Sequence, residues 1–202
     1  MKSIVHIIKP GSRNGNCYLI KTQIGHILIV TGAKTNVLRL EKELIKLGCI
    51  NELKLIILTQ FCSYTHRNLE FFREKHNVQI AMHIIDNIFD NHNDSLRGKI
   101  LEYVRQLFKI KEIIPDIIID EGYSLKAYGL DARIINLSVY SKNTIGILTD
   151  NGELFCDDIF TDINNKKSRN PELIYFKKFK RFLIDIVYPG NGKPIQFESL
   201  NA

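Results

Sequence analysis

The sequence has no tryptophan, only two methionines and five prolines, and no proline- or glycine-rich stretch that would indicate a linker or a disordered segment. Its four cysteines stand singly, without a C-x-x-C pair, which speaks against a zinc ribbon or a dithiol redox motif and favours reduced thiols. No apolar run approaches the roughly 20 residues that cross a bilayer. The amino-terminal segment is too interrupted by polar residues to form a secretion signal. We therefore expect a cytoplasmic protein with no membrane association.

Hydrophobic residues make up 45% of the chain and charged residues 25%, a balance typical of a globular protein. A length of 202 residues suits one domain, which we assign to residues 1–202. The net charge of +6 would indicate nucleic-acid binding if it were concentrated on one surface. The densest basic segment is Lys177–Arg181, but lysines on a helix surface explain it equally well, so nucleic-acid binding is kept only as an alternative.

The first part of the chain contains short apolar segments with strand character and two segments with helical periodicity. Val37, Leu40, Leu44 and Leu47 recur at helical spacing, and this stripe predicts a helix that Thr35 or Asn36 caps and Gly48 ends. A second helix is predicted at Asn68–His76. The predicted strands are Ile4–Lys9, Asn16–Thr22, Gly25–Val30, Leu53–Thr59 and Val78–His83.

Residues 84 to about 110 are predicted to be mainly helical, and Pro115 begins a second β-rich half. Asp150–Glu153 predicts a two-residue hairpin turn, and Pro171 begins a helix predicted to reach about Asp185. The strands predicted here are Ile117–Asp120, Ser124–Tyr128, Ala132–Leu137, Thr144–Thr149, Glu153–Cys156 and Ile186–Tyr188. Two packed sheets with helices on both outer faces would cover all the apolar stripes, so we expect an α/β fold.

Five segments, in order and over nearly the whole chain, resemble the metallo-β-lactamase superfamily of hydrolases. In this family one strand ends in I-D-T-G, a later strand ends in T-H-x-H-x-D-H, a G-D pair follows a hairpin, and the last motif is P-G-H-G. The resemblance implies a four-layer αβ/βα sandwich of two mixed β-sheets flanked by helices, with the metal site at the edge between the sheets. The segments are Asn16–Ile20 with Gly25–Gly32, Leu53–Asn68, Ala132–Thr149, Asn151–Phe160 and Val187–Ile195.

The resemblance also implies a specific chemistry for the active relatives. Histidines and carboxylates hold two divalent ions, usually zinc, and a bridging water becomes hydroxide near neutral pH because the metals lower its pKa. That hydroxide attacks an ester, thioester, lactam or phosphodiester. Without metal, water is a poor nucleophile.

Most residues that the family uses to hold its metals are replaced in this chain. The loop after Leu58-Thr59 has Gln60, Cys62, Tyr64 and Thr65 where the family has His, His or Asp, Asp and His. The third histidine aligns with Tyr140 and the last with Asn191, while the Asp of the D-T-G turn is Val30. Only the bridging Asp is kept, as Asp158.

The remaining groups suggest two kinds of catalytic site, a single-metal centre and a cysteine–histidine nucleophile pair. Cys62 is a good soft ligand for zinc, and Asp158 is its one well-matched partner. His66 could join them only if the loop were shifted by one residue relative to the family motif. A catalytic zinc ordinarily needs three protein ligands, so this single-metal hydrolase is an alternative rather than the leading hypothesis. A Cys62–His66 nucleophile pair lacks any identifiable oxyanion donor.

The leading hypothesis from the sequence is a catalytically inactive relative of the hydrolases that has no metal cofactor and no catalytic residues of the family type. We expect it to act by binding a small ligand or a protein partner in the vacated pocket, and the sequence gives no oligomeric state. The pocket residues are Val30, Gln60, Cys62, Tyr64, Thr65, Tyr140, Asp158 and Asn191.

Overall fold

Two mixed β-sheets form the centre of the computed structural model, which describes residues 3–10, 15–30, 36–60, 66–83, 115–137, 144–157, 179 and 181–198. The six strands of the first sheet lie in chain order: β1 (Val5–Ile8), β2 (Cys17–Lys21), β3 (His26–Val30), β4 (Leu53–Leu58), β5 (Gln79–Met82) and β6 (Ile117–Ile118). Neighbouring strands from β1 to β3 pair antiparallel, whereas neighbouring strands from β3 to β6 pair parallel.

The second sheet has five strands in the spatial order β11-β10-β9-β8-β7. Pairing is antiparallel except between β9 and β10, which run parallel. The strands are β7 (Ala132–Asn136), β8 (Ile145–Thr149), β9 (Glu153–Phe155), β10 (Ile186–Tyr188) and β11 (Ile195–Gln196).

The main core lies between the two sheets, because alternate residues of each strand face the opposite sheet. From the first sheet, Ile27, Ile29 and Ile57 enter this layer, and from the second sheet Ile134 and Ile147 meet them. All five of these side chains are fully buried. The strands therefore supply one apolar face each to a shared interior, as expected for packed sheets.

Two helices cover the outer face of the first sheet: α1 (Val37–Lys46) and α2 (His66–His76). The cap of α1 is Asn36, one of the two residues predicted for this role, and its side chain accepts a hydrogen bond from the backbone N–H of Arg39 at 3.1 Å. Leu40 and Leu44 of α1 are buried in the same core cluster as Leu69 of α2 and the outward-facing residues of the sheet. The amphipathic stripe thus positions α1 as predicted, although Leu47, at the end of that stripe, is 39% exposed.

The outer face of the second sheet has its own apolar cluster. Ile135 and Leu148 from the strands pack in it with Phe179, Ile184 and Phe197 from the carboxyl-terminal part of the chain. The two sheets therefore have an apolar layer on each outer face and one between them. Both outer faces are covered, as the sequence pattern predicts.

Several local predictions differ from the structure. Ser124–Tyr128 was expected to be a strand, but Lys126–Tyr128 is a 3-10 helix that ends at Gly129, whose φ is +73°. The turn after β8 has three residues rather than two, because Leu148 pairs with Leu154 and Gly152 adopts a φ of +80°. The strand Ile195–Gln196 was not predicted. Residues 181–185 are turn and irregular backbone, so the predicted helix does not reach Asp185.

Other predictions lie outside the described residues, namely the helical segment from residue 84 to about 110 and the helix beginning at Pro171. Within the part of the chain that the structure describes, no helix is long and apolar enough to cross a membrane.

Candidate functional site

Three of the predicted pocket positions, Val30, Gln60 and Asn191, lie along one edge of the sandwich. Val30, Leu58 and Met82 end three neighbouring parallel strands, β3, β4 and β5, and are paired in register across them. Carboxyl ends of parallel strands meet at the same edge, and ligand sites of open α/β sheets lie at such edges. We refer to this border, from the start of β2 to the end of β6 with the facing ends of the second sheet, as the site edge.

The end of β10 is attached to the first sheet by Asn16 and Tyr18. The backbone N–H of Asn16 donates to the carbonyl of Gly190 at 2.6 Å, and its side-chain amide donates to the carbonyls of Pro189 at 2.9 Å and Gly192 at 3.1 Å. The Tyr18 hydroxyl donates to the same Pro189 carbonyl. These bonds fix both sides of the turn that carries residue 191.

Tyr18 is fully buried, and burial raises the pKa of its phenol far above the ordinary value of 10. Its hydroxyl therefore stays protonated and remains a donor at physiological pH. The ring packs edge-on against Phe155 and Tyr188, each 5.4 Å away between centroids, and those two rings stack on each other at 4.5 Å. This aromatic cluster makes the β2–β10 end of the site edge rigid.

The sheets also meet where β4 ends and β8 begins. Thr59 donates its backbone N–H to the carbonyl of Val30 at 3.3 Å and accepts a bond from the backbone N–H of Ile145 at 2.9 Å. Gln60 forms an isolated antiparallel bridge with Thr144. Backbone hydrogen bonds therefore join the two sheets at the position where the family's first metal-binding histidine would stand.

Of the eight predicted pocket residues, the structure describes three. Val30 is 1% exposed and packs in the core between the first sheet and its helices, Gln60 is half-buried at the bridge, and Asn191 is exposed in the turn that Asn16 holds. All three belong to the site edge, as the resemblance implies. The other five, Cys62, Tyr64, Thr65, Tyr140 and Asp158, lie outside the described residues.

The three described positions do not fit a metal centre of the family type. Val30 offers no donor atom, and the amide oxygens of Gln60 and Asn191 are neutral ligands that suit zinc poorly. Across the described ranges no group of three or more His, Cys, Asp or Glu side chains is placed to hold an ion. The three described positions thus offer two hydrogen-bonding amides and one apolar side chain, and no charge.

A polar network that the sequence analysis missed lies further along the site edge. His83 follows β5 directly, and its Nε2 lies 3.1 Å from Oδ1 of Asp120, which follows β6. The hydrogen bond from the backbone N–H of Glu121 lowers the pKa of the Asp120 carboxyl, and the nearby His83 lowers it further. The Asn136 side chain also bonds to this carboxyl. The backbone N–H of Asn136 donates in turn to Glu121. Sequence spacing gave no signal for this network, since its members come from three separate elements.

Solved structures with the same architecture were found at low sequence identity. The metallo-β-lactamase GOB-18 from Elizabethkingia meningoseptica has a TM-score of 0.61 and 19% identity, over 94% of this chain and 75% of that one. A putative metallo-β-lactamase from Thermotoga maritima has a TM-score of 0.60 and 16% identity, over 96% and 97%. The class B3 di-zinc enzyme LRA-12 from an Alaskan soil metagenome has a TM-score of 0.62 and 15% identity, over 93% and 75%.

These likenesses show that the chain has the metallo-β-lactamase fold, a sandwich of two mixed sheets with helices on the outer faces. The fold predicted from the sequence resemblance is therefore confirmed. No protein-family model matches the chain, and no curated protein sequence matches it significantly.

Proposed function

We propose that this protein uses the metallo-β-lactamase fold without the family's metal centre, as a catalytically inactive relative that binds a small ligand or a protein partner at the site edge. One observation carries the proposal. The residues that hold the scaffold together at this edge, Asn16, Tyr18 and Thr59, are present and bonded, whereas the positions that would bind metal carry other side chains.

The replacements argue against catalysis because all of them except Cys62 are poorer zinc ligands than the residues that the family has at these positions. Gln60 and Asn191 are neutral amides, and Tyr64 and Tyr140 would have to lose protons with a reference pKa near 10 before ligating well. Cys62 and Asp158 alone are two good ligands, one short of what a catalytic zinc ordinarily takes from the protein. Without a metal, the attacking hydroxide of the family's reaction is not formed near neutral pH.

The same replacements suggest the chemistry of the ligand. Gln60 and Asn191 supply hydrogen-bonding amides, Tyr64 and Tyr140 supply aromatic faces, and Asp158 is the one charge among the eight pocket positions. A lone carboxylate is costly to bury without a counter-charge, and aromatic faces attract cations. The pocket therefore favours a small polar or cationic ligand over an anion.

The first test is elemental analysis of untagged protein purified without chelators, then exposed to excess zinc and dialysed. We expect less than about a tenth of an equivalent of any transition metal per chain, because a site with two good ligands releases its ion on dialysis. One tightly held equivalent would overturn the proposal. Loss of that equivalent in Cys62→Ala or Asp158→Ala, but not in a Cys49→Ala control, would assign the single-metal hydrolase instead.

A cytoplasmic location is part of the proposal. Cys17, Cys49 and Cys156 are buried in the core and form no disulfide, which suits a reducing compartment. Fractionation of cells that produce the protein tests this, and recovery in an extracellular or periplasmic fraction would contradict it.

A further inference from the structure

The His83–Asp120 pair stands at the site edge one strand away from the predicted pocket. Met82 pairs with Leu58, so the next residues, His83 and Thr59, are neighbours at the strand ends, about 4.8 Å apart in the direction of the sheet's hydrogen bonds. His83 is therefore close to the Gln60 bridge, and it is not one of the positions that the family uses for metal.

The imidazole of His83 is on the face of the sheet that looks toward the second sheet. Ala81, two residues earlier, packs in the core between the sheets, and strand residues two apart share a face. The same alternation applies in β7, where Ile134 packs in that core and Asn136 follows two residues later. His83 and Asn136 thus face each other across the gap between the sheets, with Asp120 bonded to both.

Asp120 fixes the proton of the neutral imidazole. Its carboxylate accepts a hydrogen bond at 3.1 Å from Nε2, so Nε2 carries the proton and Nδ1 presents a lone pair. The Glu121 backbone N–H donates to the same carboxylate oxygen at 2.7 Å, which holds the Asp120 side chain in place although it is 73% exposed. A carboxylate that orients a histidine in this way leaves the second ring nitrogen ready to accept a hydrogen bond.

The second ring nitrogen has no such bond within the described part of the chain. The His83 side chain is 15% exposed, yet its Nδ1 atom is buried and lacks a hydrogen-bond partner there. Buried polar atoms of native proteins are nearly always paired, and one without a partner needs an explanation. Asp120 holds the ring in place, and Nδ1 is a buried acceptor without a partner in the described residues. Such an acceptor is suited to bind a hydrogen-bond donor from a ligand.

We propose that His83 Nδ1 is a recognition point for the ligand of this protein, and that it accepts a hydrogen bond from an N–H group of a small amide or amine. The inference rests on the proposed binding function and narrows the ligand to one that carries a donor. An acceptor nitrogen selects donors and repels carboxylate and phosphate oxygens, which have only lone pairs to offer. The buried position of Nδ1 restricts the donor to a compact group.

The experiment is NMR of full-length protein labelled with ¹⁵N at histidine. In the free protein, the two ring nitrogens of His83 are expected to show the Nε2-protonated tautomer. Acetamide and methylammonium are then titrated as probes, with acetate as a matched probe that lacks a donor. We expect a saturable shift of the His83 Nδ1 resonance with a donor probe, no shift with acetate, and no shift of exposed His6 in the same sample.

Two variants separate recognition from general stability. Asp120→Ala removes an exposed side chain that orients the imidazole, and we expect the apparent Kd of the donor probe to rise about tenfold. Asp131→Ala removes an exposed carboxylate on the turn before β7 and is expected to leave that Kd unchanged. Equal effects of both variants would overturn the inference, because they would show a response to net charge alone.

The remaining outcomes are also decisive. An unshifted His83 resonance at saturating acetamide and methylammonium, or an equal shift for acetate, would overturn the recognition role of Nδ1. Neither result would bear on metal content, which elemental analysis measures separately. A tightly bound zinc ion that leaves the His83 resonances unchanged would overturn the proposed function. The titration with acetamide and methylammonium would still decide the role of Nδ1.

Discussion

The two ends of the site edge both carry polar side chains, but these side chains differ in burial and in what they contact. At the β2–β10 end, Asn16 and Tyr18 are buried, and their side chains bond to each other and to the turn after β10. At the β4–β8 end and at the tip of that turn, Gln60 and Asn191 are half-buried or exposed at positions where the family would place metal-binding histidines. The difference teaches that buried hydrogen bonds hold one end of the site edge, while the other end presents amide side chains at positions where the family has histidines.

The comparison is tested most strongly by restoring the family's ligands. If the scaffold is intact, the combined substitutions Gln60→His, Cys62→His, Tyr64→Asp, Thr65→His, Tyr140→His and Asn191→His, with Asp158 kept, should give a protein that retains about two zinc ions after dialysis. Val30 is left unchanged because a carboxylate at a 1% exposed apolar position would destabilise the fold. Elemental analysis and circular dichroism give the readout.

The matched control for this restoration is the same set of substitutions with Asp158→Ala added. That variant should lose at least one of the two zinc ions, since it lacks the bridging carboxylate. A restored variant that folds but holds no zinc would show that the site edge no longer has the family's geometry.

The next largest effect is expected from Asn16→Ala. The change removes the side-chain amide that donates to the Tyr18 hydroxyl and to the carbonyls of Pro189 and Gly192, of which Pro189 is buried, so the free energy of unfolding should fall by about 2–4 kcal/mol. Urea unfolding monitored by circular dichroism measures it. Asn51→Ala, at an exposed position before β4, is the control and should stay within about 0.5 kcal/mol of the wild type.

Tyr18→Phe should give a smaller loss at neutral pH, about 1–2 kcal/mol, because it removes the buried hydroxyl that donates to the Pro189 carbonyl and accepts from the Asn16 amide. The variant also tests pH dependence. Burial raises the pKa of Tyr18 in the folded state above the value of 10 in the unfolded chain, so above pH 10 the unfolded state loses its proton first. The stability from this group is complete below pH 10 and falls as the pH rises further.

Urea unfolding at pH 8 and at pH 11 separates this contribution from that of other groups. The difference in stability between wild type and Tyr18→Phe should narrow at pH 11. If the difference stays constant, Tyr18 has the same pKa in the folded and unfolded states.

The smallest effect is expected from Asn191→Ala, which sharpens the contrast with Asn16. Asn191 is exposed, and the turn around it is held by backbone carbonyls at Pro189, Gly190 and Gly192, so stability should change by less than about 0.5 kcal/mol. Ligand binding should weaken if this residue lines the pocket. A loss of stability comparable to that of Asn16→Ala would show that Asn191 belongs to the scaffold instead.

Much of the fold could be predicted from the sequence because its signals are local. The stripe of α1 and its Asn36 cap are set within a single helix, and the apolar segments at β3 and β4 predict buried strands by composition and length. Predictions at Ser124–Tyr128 and after β8 were wrong where the backbone enters left-handed conformations at Gly129 and Gly152. There, tertiary contacts of the turn decide the conformation more than strand propensity does.

The candidate site was only partly predictable. The motif order placed Val30, Gln60 and Asn191 at one edge because the resemblance supplies the topology. A single histidine after a strand, such as His83, carries no signal of its own in the sequence. Its partner Asp120 lies 37 residues away in the chain, and spacing does not reveal such a pair.

The sequence by itself determined the α/β class and the helix and strand segments with strong periodicity, because each depends on residue identity along a short stretch. Only the tertiary structure decided which polar groups meet at the site edge. The Asn16 amide reaches Pro189 and Gly192, and Asp120 reaches His83 and Asn136, through the packing of two sheets. The physical reason is that hydrogen bonds act over about 3 Å in space, and chain separation places no limit on which groups the fold brings within that distance.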